Sequence, residues 1–347
     1  MTDAPTLLLT IVRSPEHDLP GHVERPTRFD HFDLFQQPPL GEHLKMIDPQ
    51  PAPLEAVLAV HPQGYLDALE AACRQGPAYI DQGDTYVTPA SYPAALAAAG
   101  GALAALNAVL DADGTPGFAL VRPPGHHATA TQAMGFCLLN NVAICARAAL
   151  AQGLQRILIV DFDVHHGNGT QAIFEEDPSV LYISTHQRGI YPGSGSRFEV
   201  GRMAGEGKTI NIPLPPGTGD EGFQLIMERV IAPAADRFGP DLLLLSAGYD
   251  AHWNDPLASL ALSCSGYHQI ASGLAQLARR LAKGRVLATL EGGYNPEQLA
   301  HCLLATMHGL LDMPAPPDPF GPSPRQEPDI EDLVAEIADI HGLGGGD

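Results

Sequence analysis

Apolar and polar positions along the chain follow two alternating rhythms. Short β-rich runs fall at Thr6–Val12, Phe118–Val121, Arg156–Asp161, Val180–Ser184, Thr209–Ile212, Asp241–Ser246 and Arg285–Leu290, with alanine-rich stretches between them. Several runs are almost continuously apolar, such as ILIV before Asp161 and LLLL after Asp241. Strands buried on both faces of a parallel sheet read this way. The intervening stretches predict helices over about Gln63–Arg74, Ser91–Leu110, Asn141–Ala151, Asp220–Arg237, Gly266–Ala282 and Pro296–Leu310, with Ser91 as an N-cap. The alternation predicts a single open, mostly parallel α/β sheet flanked by helices on both faces, with no repeat and no interdomain linker. This domain is expected to span residues 1–313. Residues 314–347 form a proline-rich extension with an extended start, a short helix and the flexible ending GLGGGD.

Composition narrows the reading. The 347 residues are 45% hydrophobic, enough for a large core. No apolar run approaches the roughly 20 residues that span a bilayer, so no membrane helix is expected. The run from Thr6 reads as a strand, not as a signal peptide, and a cytoplasmic protein is expected. The five cysteines, Cys73, Cys137, Cys145, Cys264 and Cys302, are scattered and never paired as CxxC. That argues against a disulfide framework and against a cysteine zinc site. The net charge of −21, from 40 acidic and 19 basic residues, repels nucleic-acid backbones and attracts cationic ligands such as amines.

In such a sheet, ligands bind outside the carboxyl ends of the strands. Asp161-Phe-Asp163-Val-His165-His166 follows ILIV, and Asp250 follows LLLLSAGY. If the extended chain continues past Asp161, residues 161, 163 and 165 share one side. Asp163, His165 and Asp250 then make a three-ligand metal site that leaves a position for water, the catalytic pattern for zinc. A lone Asp at a strand end would instead read as a helix cap. Arg122-Pro-Pro-Gly-His126-His127 follows a second strand. Tandem histidines beside a metal suit proton transfer, because imidazole titrates near working pH. Leu290-Glu-Gly-Gly-Tyr294 follows the last strand; its glycines allow close backbone approach and its tyrosine could donate to a developing oxyanion. Taken alone, either cluster would read as filler or as a simple turn.

The motifs RPPGHHA, GFCLLNN, DFDVHHGNGTQ, SAGYD…DPL and EGGYN, in this order over roughly residues 10 to 310, resemble the histone deacetylase family. The likeness is to its class II and bacterial amidohydrolase branch, since Asn168 stands where class I members carry Asp. The resemblance implies the arginase–deacetylase fold with about eight parallel strands, and zinc held by Asp163, His165 and Asp250. It pairs His126 with Asp161 and orients His127 by Asn168. It also implies a tunnel of Gly135, Phe136 and Tyr191 with Leu257 at its rim, and Arg28 lining an internal acetate pocket. Asp84 would grip substrate backbone. Potassium would sit on Ser184 and Thr185 with the carbonyls of Asp161, Asp163 and His165.

These readings predict a zinc-dependent deacetylase acting on acetyl or small acyl amides of lysine side chains or related amines. Its partner would be a cationic acetylated peptide or small molecule, not nucleic acid or a membrane. His127 is the expected base and then acid, and Asn168 in place of a carboxylate should leave it less basic. His126 would stay cationic, and Tyr294 would join zinc in binding the oxyanion. An acetylpolyamine amidohydrolase is the nearest alternative, but Leu257 after Asp255-Pro256 offers no acidic group at the tunnel mouth. An arginase-like ureohydrolase would need a ligand where Gly167 stands. An inactive acetyl-amine binding module would have lost a ligand or the tyrosine, and none is missing.

Overall fold

The computed structural model describes residues 5–344 apart from residues 82 and 113, so the last three residues of the predicted flexible ending lie outside the described residues. The strands are β1 (Leu7–Val12), β2 (Leu44–Met46), β3 (Ala78–Tyr79), β4 (Tyr86–Val87), β5 (Gly117–Val121), β6 (Ile157–Asp161), β7 (Val180–Gln187), β8 (Thr209–Leu214), β9 (Leu242–Ala247) and β10 (Val286–Leu290). Eight of them form one sheet in the order β2-β1-β5-β10-β9-β6-β7-β8, and every neighbouring pair is parallel. β3 and β4 make a separate antiparallel pair. The helices are α1 (Leu54–Leu58), α2 (Gln63–Gln75), α3 (Ser91–Asp111), α4 (Asn141–Ala151), α5 (Asn168–Phe174), α6 (Asp220–Ile226), α7 (Ala232–Phe238), α8 (Cys264–Leu281), α9 (Pro296–Leu310) and α10 (Glu331–Ile340).

Side-chain alternation divides the core between the two faces of the sheet. Leu158, Val160, Leu243 and Leu245 enter one apolar cluster with Phe223, Leu274 and Leu303 from α6, α8 and α9. Ile157, Ile159, Leu242 and Leu244 enter the other with Ala98, Leu106, Val142 and Ala146 from α3 and α4. Both faces are therefore buried, which accounts for the continuous apolar runs. The α10 residues Val334 and Ile337 join the first cluster, so the short C-terminal helix packs on the sheet domain.

Three expectations are corrected. Ser91 is the first residue of α3, not its cap; its Oγ accepts the Thr88 N–H at 2.7 Å and bonds His17 Nδ1 at 2.8 Å. Helix α3 is also long and apolar enough to cross a membrane, the one such helix among the described residues. Its alanines and glycines instead pack against β1 and β5 as a core helix. The helix predicted over Asp220–Arg237 is interrupted by a π-turn at Met227–Ile231. Pro233 follows just inside α7; it has no N–H to donate and would crowd the preceding carbonyl, which a wider turn accommodates.

Candidate active site

The chemistry-bearing motifs follow β5, β10, β9 and β6, and these are consecutive neighbours in the sheet. Their carboxyl ends therefore deliver the histidine pair, Glu291–Tyr294, Asp250 and Asp161–His165 to one place. β6 stops at Asp161, yet side chains keep alternating through the bend that follows. Phe162 and Val164 enter the core, while Asp163 and His165 face Asp250.

The ligand atoms of Asp163, His165 and Asp250 lie within 4.8 Å of one another. His165 Nδ1 is 3.1 Å from Asp163 Oδ1 and 3.2 Å from Asp250 Oδ2. Asp250 Oδ2 is buried and accepts no hydrogen bond. A Cβ on Gly292 would fall 2.1 Å from it, so this glycine leaves the space beside both carboxylates open. Burial raises the Asp250 carboxyl, with Asp163 adding repulsion. Burial opposes charge on His165 too, yet the two carboxylates lift it to about 10. The cluster demands positive charge, and two carboxylates with one imidazole suit a small divalent cation such as zinc.

Behind this cluster, His126 Nδ1 lies 3.1 Å from Asp161 Oδ2 and its Nε2 3.8 Å from Asp163 Oδ1. Against burial, these carboxylates raise His126 to about 10 and hold it as a cation. His127 differs. Its Nδ1 lies 2.8 Å from Asn168 Oδ1, and the Asn168 amide nitrogen is spent on His127 O and Met134 Sδ. Asn168 thus presents its carbonyl, so His127 donates from Nδ1 and keeps a lone pair on Nε2. Burial, then the cationic neighbours His126 and His165, push its pKa well below 6.5. The two rings thus differ in basicity: His127 is held neutral and His126 cationic.

The turn 291–294 ties these pieces together. Glu291 Oε2 accepts Gly125 N–H at 2.6 Å and His126 N–H at 3.1 Å, and Oε1 accepts the Ser246 hydroxyl at 3.1 Å. Gly292 N donates to Asp163 Oδ2 at 2.8 Å, and Tyr294 N donates to Asp255 Oδ2 at 2.8 Å. Arg28 is buried behind the turn, donating from Nη2 to Glu291 O at 2.6 Å and from Nε to Gly293 O at 2.7 Å. Its guanidinium lies 5.0 Å from the centre of the Tyr294 ring. Glu24, fully buried, joins Arg28 to Arg122 with hydrogen bonds of 2.7 to 3.2 Å.

A cavity of about 170 Å³ opens onto this centre, lined by Asp84, His127, Gly135, Phe136, His165, Tyr191, Leu257 and Tyr294. The structure thus brings together in one pocket the predicted tunnel and rim residues, Asp84 included. Gly135 has φ +55°, and a Cβ there would fall 2.3 Å from His127 Cδ2. Burial and the neighbouring Asp81 raise Asp84 to about 6. Two predicted residues find protein partners: Thr185 Oγ1 donates to Asp161 O at 3.4 Å, and Ser184 Oγ bonds His186 Nδ1 at 2.9 Å. These contacts lend the potassium expectation no support of their own.

Sequence reasoning missed the roles of Glu24, Asp255 and Glu291. Glu291 stood inside a motif already singled out and Asp255 beside Leu257, whereas nothing near Glu24 in sequence points to Arg122. A second convergence, His252, Cys264 and Cys302, also offers three ligand types. His252 Nδ1 accepts the Asn254 N–H at 3.1 Å, so Nε2 carries the proton and faces Cys264 Sγ at 3.9 Å. That nitrogen has no lone pair for a metal. The larger concavity of about 500 Å³ along α6 and α8 gathers no comparable set of groups.

Fold and site together point to a hydrolase of the amidohydrolase type. The sequence profile of the histone deacetylase domain matches residues 22–310. A probable deacetylase of Archaeoglobus fulgidus is 44% identical over 281 residues, 80% of this chain and 78% of that protein. The histone deacetylase-like amidohydrolase of Pseudomonas aeruginosa is 39% identical over 293 residues, 84% and 77% of the two chains. The crystal structure of the HDA15 HD domain superposes with a TM-score of 0.86 at 34% identity, covering 97% of this chain and 94% of that one. The chain belongs to the histone deacetylase family.

Proposed function

We propose that the chain is a zinc-dependent amidohydrolase that removes acetyl or small acyl groups from lysine side chains or related amines. The observation that carries the reading is convergence. His165 of the Asp163–His165–Asp250 cluster, His127 with its Nδ1 held by Asn168, and Tyr294 line a single pocket. Zinc held by those three ligands would polarise the scissile carbonyl and acidify water. His127 takes the water proton at Nε2 and returns it to the departing amine. His126, kept cationic by Asp161, stabilises negative charge without giving up its proton. Tyr294 donates to the amide oxygen as it becomes negative, and Arg28 and Asp255 hold the tyrosine in register. Asp84, which lines the same pocket, would accept N–H groups of the substrate.

Leu257 at the rim, 36% exposed, adds no carboxylate beyond Asp84 to hold a distal ammonium, which favours acyl-lysine over acetylpolyamines. The test compares acetyl-lysine peptides, acetylpolyamines and longer acyl-lysines, with and without a chelator. Chelator-sensitive turnover of acetyl-lysine peptides is expected. Full activity without metal would refute the zinc reading, and strong preference for acetylpolyamines would move that substrate class to first place.

A further inference from the structure

The Leu290–Tyr294 motif contains an acidic residue to which the mechanism above gives no task. Glu291 is fully buried, at 0% exposure. Its Oε2 takes two consecutive backbone N–H groups, Gly125 and His126, from the loop that carries both histidines. Its other oxygen is pinned by Ser246 at the end of β9. Further along the same turn, Tyr294 lines the pocket. Between them, Gly292 N holds the carboxylate of Asp163.

We propose that Glu291 is a positioning residue: it locks the His126–His127 loop to the turn bearing Tyr294, fixing the distance between the proton-transfer group and the oxyanion donor. The proposal rests on the deacetylase reading of the site. His127 and Tyr294 arrive from different strands, β5 and β10, and both line the pocket. Sheet hydrogen bonds set those strands only as far as Thr289, which pairs with Ala119. Beyond that point the two loops leave the sheet, and the Glu291 carboxylate is their direct hydrogen-bonded link. The two N–H groups are buried donors that need an acceptor, so the link is also costly to break. An amide can replace the carboxylate in this task. In the Glu291→Gln variant the new side chain would accept both N–H groups on its carbonyl oxygen, while its NH₂ donates to Ser246 Oγ. Position is thereby separable from charge.

The experiment uses the zinc-loaded full chain and the variants Glu291→Ala, Glu291→Gln and Ser246→Ala. Glu291→Ala is expected to lower kcat on an acetyl-lysine peptide by about 10²-fold with KM within about threefold, since misplacement of roughly 1 Å costs that much. Glu291→Gln should recover at least about a tenth of wild-type kcat. Ser246→Ala, which frees the carboxylate without leaving the N–H groups unpaired, should lose about fivefold in kcat at unchanged KM. It decides the matter if Glu291→Ala does not fold. Long-range ¹H–¹⁵N spectra of the histidine rings give a readout independent of turnover: the His126 and His127 signals should broaden or split in Glu291→Ala and sharpen again in Glu291→Gln. Unchanged ring signals, or kcat within about threefold of wild type in both Glu291→Ala and Ser246→Ala, would overturn the role. Equal damage from the amide and alanine variants would overturn it in favour of a purely electrostatic effect. Wild-type protein that is inactive yet shows the expected ring signals would refute the deacetylase reading and leave the positioning role standing.

Discussion

Replacing Tyr294 by Phe removes one oxygen and leaves the surroundings of the ring intact. Among the described residues, no group shares a hydrogen bond with that hydroxyl. The ring is held by other means: the Arg28 guanidinium 5.0 Å from its centre and the Phe136 ring, nearly perpendicular to it with the two centres 5.7 Å apart. The backbone N–H keeps its bond to Asp255 in either variant. Folding stability should therefore change by no more than about 0.5 kcal/mol, as for substitutions that break no native bond. Turnover should change far more. A donor aimed at a developing oxyanion contributes about 3–4 kcal/mol, and each 1.4 kcal/mol is about tenfold in rate. The expected loss is thus about 10²–10³ in kcat, with KM little altered because the bond strengthens only as charge develops. The assay is steady-state turnover of an acetyl-lysine peptide, beside thermal unfolding and zinc content. A loss below about tenfold, or a rise in KM at constant kcat, would refute the oxyanion role. A fall in Tm beyond about 5 °C would mean that the hydroxyl is structural.

Three further perturbations test neighbouring parts of the argument. His127→Ala should lower kcat steeply at nearly constant KM, since its proton transfers belong to the transition state; a raised KM with kcat intact would make it a binding residue. Leu257→Glu should raise kcat/KM for acetylpolyamines relative to acetyl-lysine peptides, because a carboxylate at the partly desolvated mouth would attract the distal ammonium; an unchanged ratio would contradict the rim argument. Glu24 tests the scaffold: against burial, Arg122 and then Arg28 lower its carboxyl from 4.5 to about 2. A depressed carboxyl gives stability that is fully present above 4.5 and lost as pH falls towards 2, worth roughly 3 kcal/mol at neutrality. Glu24→Gln should therefore lower the unfolding free energy near pH 7, and denaturant titrations should show its gap to wild type closing between about pH 4.5 and 2.5.

Much of the fold could be read from the chain because its strands are buried on both faces, which turns them into continuous apolar runs. All seven predicted strands of the sheet are present. The missed member, Leu44–Met46, lies at the edge and is partly exposed, so it shows no such run. Strand order was not legible, because adjacency in a sheet is not a local property. The sequence places the histidine loop and the tyrosine turn about 165 residues apart, and only the order β5-β10-β9-β6 makes them neighbours. Glu24 and Arg122 illustrate the same limit: 98 residues separate two side chains that neutralise each other in the interior.

The opposite basicities of the two histidines show where residue identity stops being informative. His126 and His127 are adjacent and chemically identical in sequence, and their rings lie only 4.1 Å apart. Their opposite behaviour comes from what faces each Nδ1: the Asp161 carboxylate in one case and the Asn168 carbonyl in the other. Asn168 can be read from the chain, and its neutrality already predicts a less basic His127. What cannot be read is that burial acts first on His127 and that the cation next to it acts second. A carboxylate at position 168 would oppose both effects, whereas the amide orients the ring and leaves them to act. The low basicity of His127 therefore rests on burial first and on the charge of His126 second, a charge that Asp161 and Asp163 together sustain.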